Sequence, residues 1–188
     1  MLLSEHKDLK LAIRSLPEKE KDKLLLRLIA KDKVLTEHLH FKLLEDEQDL
    51  ADRHEALITL IDTGMIELLN SRKLTSKDTL AKMRGFLGQI NHHFKVTKDI
   101  SSDIELRLHL LALIPMAFNE SIFSPLYKFN EKLMVYFVKS TQSVLNKYYR
   151  MHEDLQFDLR EQLNDILNKI YTNKSEAVAR ELGLPKEL

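Results

Sequence analysis

Apolar positions recur at intervals of three and four along nearly the whole chain, the period of helices buried on one side. A first short helix is predicted over Ser4–Arg14, with Leu9, Ile13 and Leu16 turned inward. Ser15-Leu-Pro-Glu18 places a Ser cap, a first-turn Pro and a Glu three residues on, which starts a second helix running to about Ala30. That helix carries Leu24, Leu25, Leu28 and Ile29 on one face and Lys, Glu and Asp on the other. A restart at Asp32 predicts a helix to about Asp46, with Val34, Leu35, Leu39, Phe41, Leu43 and Leu44 inward. Asp49–Asn70 follows, with a seam of Leu50, Leu57, Ile61, Met65 and Leu68 and with Gly64 as a point of kinking. Thr75 and Asp78 restart the chain after a polar connection, and Leu80, Met83, Leu87, Ile90 and Phe94 continue the helical period.

The most apolar stretch is Ile104–Phe118. Ser102-Asp-Ile-Glu105 before it reads as a capping box. Leu106, Leu108, Leu110, Leu111, Leu113 and Ile114 cover most of the helix circumference, so this helix needs neighbours on several sides and is predicted to be central. Pro115 kinks or ends it. Ser124-Pro125 is the next start signal, and a seam then runs from Leu133 through Phe137, Val144, Tyr148, Met151, Leu155, Leu159, Leu163 and Ile166 to Ile170. Built as one helix it would exceed 40 residues, roughly 60 Å. A break is therefore expected near Arg150–Asp154, where His-Glu-Asp puts negative charge on a new N-terminus. Asn173 is read as the cap of a last short helix that ends at Gly183.

The fold class that follows is all-α: about seven or eight antiparallel helices in an irregular bundle or a short α–α superhelix. One domain over residues 1–188 is expected, with 1–100 and 101–188 as an alternative division into lobes. The helix pair on either side of Asp32 resembles one HEAT-type helical repeat over about thirty residues: an amphipathic helix, a tight Lys/Asp turn, then a helix opening on a β-branched residue. The same spacing does not return, as an array of ~40-residue repeats requires.

Composition narrows the chemistry. With 188 residues the chain can bury a sizeable core unaided. Only four Gly and four Pro suit long helices. Zero cysteines exclude disulfides, thiolate metal sites and thiol catalysis, and are compatible with a reducing compartment. No apolar run reaches the ~18 residues of a membrane span, so no membrane partner is expected and the cytoplasm is the default. Lys plus Arg and Asp plus Glu both number 29, but the charge is segregated: 37–55 and 153–165 are acidic, 72–98 and 128–150 basic.

Three constellations could carry function. Glu37 and His40 stand three apart on one helix, and Glu105 and His109 stand four apart on the central one; all four are metal-ligand candidates. Di-iron bundles use the Glu-x-x-His spacing in two copies with two further glutamates, and one copy occurs here. Surface histidines, with His109 hydrogen-bonded in the core, are the plainer reading, so no metal or cofactor is expected. Second, Lys82, Arg84 and Lys95 in one basic block, and Lys128, Lys132, Lys139, Lys147 and Arg150 among the aromatics of the other, could line a nucleic-acid surface. Third, Gly85 and Gly88 form a GxxG on one helix face, read as a place for close helix approach rather than as a backbone-clamping loop, because no strands flank it. No nucleophile elbow or phosphate loop occurs. The expectation is a non-catalytic cytoplasmic interaction module binding another protein, with nucleic-acid binding through the basic faces or a metal enzyme as alternatives, and a homodimer through the Leu133–Ile170 seam as a further option.

Overall fold

The computed structural model describes residues 3–118, 120–121 and 123–188. Nine α-helices account for most of them: α1 Lys7–Ser15, α2 Glu18–Ile29, α3 Lys33–Leu44, α4 Glu47–Leu69, α5 Ser76–Thr97, α6 Ile100–Leu113, α7 Tyr127–Tyr148, α8 Glu153–Tyr171 and α9 Glu176–Glu181. The described residues contain no strand, and none of their helices is long and apolar enough to cross a membrane.

Four of the nine starts follow from short polar side chains. Asp32 accepts from the Leu35 amide, Thr75 from that of Asp78 and Asp99 from that of Ser102. Asp46 and Asp49 form a reciprocal capping box at the head of α4. The box expected at Ser102 is absent: Asp99 caps α6, which moves Ser102 inside the first turn and frees its hydroxyl for other work. The start expected at Ser124-Pro125 comes later, at Tyr127, with Ser124 Oγ accepting from the Leu126 amide 3.2 Å away. α6 ends at Leu113, two residues before Pro115. The long seam does break between Tyr148 and Glu153, where His152 accepts from the Asp154 amide and two carboxylates occupy the new first turn. Gly183, at φ +68°, ends the region after α9 in the left-handed conformation that glycine adopts at low cost.

The chain divides into two compact units, one ending at Glu45 and one spanning Asp46–Leu188. In the first, α2 and α3 are joined through Thr36, whose hydroxyl donates to the carbonyls of Ile29 and Asp32 at 3.0 Å each. None of α1, α2 or α3 buries a residue. The inward faces expected for Leu9, Leu24, Leu25, Leu28, Leu35, Leu43 and Leu44 are exposed. The amphipathic period formed the helices, but three short helices have too little mutual surface to cover their leucines.

The second unit holds the core. α6 is central as expected: Ile104, Leu106, Leu108, Leu110 and Leu111 are all at most 2% exposed, between α4, α5, α7 and α8. Leu133, Phe137, Val144, Leu159, Leu163, Ile166 and Ile170 of the α7–α8 seam are buried within the chain, while Leu155 is 42% exposed. Gly64 lies inside the continuous helix α4 and receives the Phe86 ring, and a Cβ there would lie 2.5 Å from Phe86 Cζ. Gly85 and Gly88, expected to admit a neighbouring helix, face open space.

Polar groups inside this unit are paired. Asp103, fully buried, accepts from Arg107 Nε and Nη2 at 2.9 Å each and from Lys147 Nζ at 2.5 Å. The Lys147 ammonium also lies 4.3 Å from the Phe94 ring centre, so one cluster locks α5, α6 and α7. Lys169 donates to the carbonyls of Leu111 and Ala112 at the C-terminus of α6. Burial lowers its ammonium to about 8, against the pull of those two carbonyls toward the charged form.

Candidate functional site

Three helices of the second unit, α4, α6 and α8, enclose a groove of about 550 Å³. Each contributes a stripe set by helical spacing. On α4, His54 and Ile58 stand one turn apart, with Asp62 one turn further. On α6 the early start at Ile100 directs Glu105, Leu108, His109 and Ala112 into the groove. On α8 the stripe is Asp158, Leu159, Gln162, Asp165 and Ile166. Ile58, Leu108, Leu159 and Ile166 make an apolar floor, while Glu105, Asp158 and Asp165 give a rim of carboxylates, and no Lys or Arg lines the space.

Imidazoles tie the walls together. His109 Nε2 lies 2.6 Å from Asp62 Oδ1, and His54 Nε2 lies 3.8 Å from Glu105 Oε2. Ser101 Oγ donates to the other Glu105 oxygen at 3.0 Å. The far side of His54 meets Ser102: His54 Nδ1 and His93 Nε2 are each 2.9 Å from its Oγ. One hydroxyl carries one proton, so at least one of the two imidazoles must donate to it. Burial pushes His93 below its ordinary value, with the charges of His54 and Arg53 acting the same way and Asp99 and Asp103 opposing. A neutral His93 accepting from Ser102, with His54 donating to the same oxygen, satisfies all three groups. Ser102 is 6% exposed and does not line the groove, so this chain fastens α4 to the α5–α6 corner rather than presenting a nucleophile.

No family model matches this chain, and no curated protein or solved structure matches it at a significant level. The site is therefore read from its own chemistry.

Of the four metal-ligand candidates, Glu105 and His109 come together in the groove, while Glu37 and His40 lie on α3 in the first unit. His40 Nδ1 is 2.8 Å from Glu45 Oε1, and among the described residues no group of three or more His, Asp or Glu is placed to hold a metal ion. The eight basic candidates separate into kinds. Lys82 pairs with Glu67 at 3.6 Å, and Lys147 is held by Asp103. Arg84 stacks over Tyr136, Lys128 and Lys132 point at Phe129, and Lys95, Lys139 and Arg150 are exposed.

Sequence reasoning missed His54, Asp158 and Asp165. The His54–Ile58–Asp62 stripe at one-turn intervals was the available signal, but exposed charge at helical spacing is common, and only the packing of α4 and α8 against α6 singles it out.

Proposed function

We propose that this protein is a non-catalytic cytoplasmic interaction module whose groove between α4, α6 and α8 holds a basic, apolar-faced segment of a partner protein. The observation that carries this reading is the combination of an apolar floor with three rim carboxylates and no lining cation. A helix that lays leucine-type side chains on the floor and points Lys or Arg at the rim satisfies both. Leu108, Leu159 and Ile166 are at most 7% exposed and Ile58 is half-buried, so the floor contributes shape and contact rather than a large apolar area. The carboxylates set partner choice and speed of encounter more than affinity.

The test uses the full chain and two labelled helical peptides with the same apolar face, one lysine-rich and one glutamate-rich, read by fluorescence anisotropy. The basic peptide should bind and the acidic one should not. The double reversal Asp158→Lys/Asp165→Lys, both on the exposed side of α8, should weaken the basic peptide about tenfold or more with the fold intact by circular dichroism. Equal binding of both peptides, or indifference to the reversal, overturns the proposal.

A further inference from the structure

On a different side of the second unit, α5 and α7 form a seam marked by cations seated on aromatic rings. Lys77 on α5 lies 5.9 Å from the centre of Phe129 on α7, and Arg84 lies 5.1 Å from that of Tyr136. Near the other end the roles invert, with Lys147 of α7 over Phe94 of α5. Residue numbers rise together along the two helices, so they run in the same direction. Lys77 and Arg84 are seven residues apart, about 10 Å at 1.5 Å per residue.

The charge here is lopsided in a chain with no net charge. Apart from Lys82 and Lys147, which pair with Glu67 and Asp103, α5 has Lys77, Arg84 and Lys95 against the single acid Asp78, and α7 has Lys128, Lys132 and Lys139 against Glu131. At the head of the seam Lys77, Lys128 and Lys132 all crowd one ring, their ammonium groups 5.9, 5.6 and 5.7 Å from the Phe129 centre. Among the described residues, no carboxylate forms an ion pair with any of the three. Three like charges confined round one ring repel one another, and the ring offsets only part of that. A ligand that brought several negative charges would relieve it.

The seam also selects among polyanions. Between the cations the exposed stripe of α5 is small: Ala81, then Gly88, where a Cβ would meet nothing within 4 Å. This leaves a low track between charges, open to a backbone rather than to bulky side chains. Phe129 and Tyr136 are half-buried, with three ammonium groups round the first and Arg84 over the second, so the seam gives charge with little apolar surface for a peptide side chain or a lipid tail to enter. A nucleic-acid strand needs no such surface, since its phosphates recur along a line and are bound through charge alone.

We propose that the α5–α7 seam binds the phosphate backbone of nucleic acid without sequence preference, with Lys77, Lys128 and Lys132 as its strongest point and Arg84 continuing the track. This stands independently of the peptide groove, which is acidic and lies on α4, α6 and α8. Half-buried rings beside cations leave no platform for base stacking, so homopolymers of different bases should bind alike.

The test is a titration of full-length protein into labelled single-stranded dT20 at several salt concentrations. Wild type should bind at low salt, with log affinity falling linearly against log salt. The triple variant Lys77→Gln/Lys128→Gln/Lys132→Gln should lose at least tenfold at low salt, and its salt slope should be shallower by about 2, as expected for three lost phosphate contacts on a single strand. All three side chains are exposed, and circular dichroism checks the fold. A matched triple Lys19→Gln/Lys21→Gln/Lys23→Gln on α2, equally exposed, should bind as wild type. No binding by wild type, equal losses in both triples, or an unchanged slope overturns the proposal. Displacement by poly-glutamate or by phosphatidylserine vesicles at the same charge concentration as dT20 also overturns it, by moving the seam to an acidic protein or a membrane surface.

Discussion

α2 and α6 both carry a dense run of leucines and meet opposite fates. The run of α6 is apolar nearly all round, and that of α2 faces Lys, Glu and Asp on the other side of its helix. In α6, Leu106, Leu108, Leu110 and Leu111 are at most 2% exposed; in α2, Leu24, Leu25, Leu26 and Leu28 are 38 to 65% exposed. The difference lies in the neighbours. α6 packs against α4, α5, α7 and α8, and its leucines find cover in every direction. α2 meets α3 across a tight turn, which covers part of one face. An apolar stripe therefore states which face needs covering, and only the number and length of adjacent helices decide whether it is covered.

Leucine deletions in the two helices give the largest expected contrast. Leu110→Ala removes a fully buried side chain and leaves a cavity, so it should cost about 2–5 kcal/mol. Leu26→Ala removes one that is 65% exposed and should stay within about 0.5 kcal/mol. Denaturant unfolding read at two signals checks this. All five tyrosines lie between 127 and 171 and the chain has no Trp, so tyrosine fluorescence reports the second unit alone, while far-ultraviolet dichroism reports both. A Leu26→Ala loss as large as that of Leu110→Ala would break the comparison by showing that the first unit has a core of its own.

The glycines sharpen the comparison within the packed unit. A Cβ on Gly64 would meet the Phe86 ring end at 2.5 Å and Lys82 Cε at 2.8 Å. Gly64→Ala should therefore destabilise by about 1–3 kcal/mol from overpacking, less the ~1 kcal/mol that alanine gains in a helix. Gly88→Ala meets nothing and keeps the gain, so it should stabilise by up to ~1 kcal/mol. Thermal midpoints moving in opposite directions confirm that α4 and α5 touch at Gly64 and that Gly88 lies open. A stabilising Gly64→Ala would refute that contact.

The glycines also mark how far sequence carries. Helical class, the caps at Asp32 and Thr75 and the break before Glu153 were legible because each depends on residues within a turn or two, and the central place of α6 because its run is apolar nearly all round. The glycine assignment was reversed, since close approach depends on which side chain arrives from another helix, and Phe86 lies far from Gly64 in sequence. The groove was half legible. Glu105 and His109 are four apart on one helix, but His54, Asp158 and Asp165 reach them only through packing across more than fifty residues. Ser102 was given the wrong partner for a local reason: Asp99, three residues earlier, outcompeted it as the cap.

The smallest expected effect concerns that displaced serine. Native His93 is held below its ordinary value by burial, then by the charges of His54 and Arg53, with Asp99 and Asp103 opposing. As pH falls through the ordinary value near 6.5, the unfolded chain takes up a proton at this position before the folded one does. The unfolded state then holds more protons, so the stability His93 supports is present above that pH and is lost on acidification. The loss falls on the corner where Ser102 Oγ meets both imidazoles, because a protonated His93 can no longer accept from that hydroxyl. The tyrosine-detected urea midpoint should drop between pH 7.5 and 5.5, and His93→Gln, which cannot take the proton, should drop less. Equal drops in the two proteins would detach His93 from the acid response and leave the contact at Ser102 as packing alone.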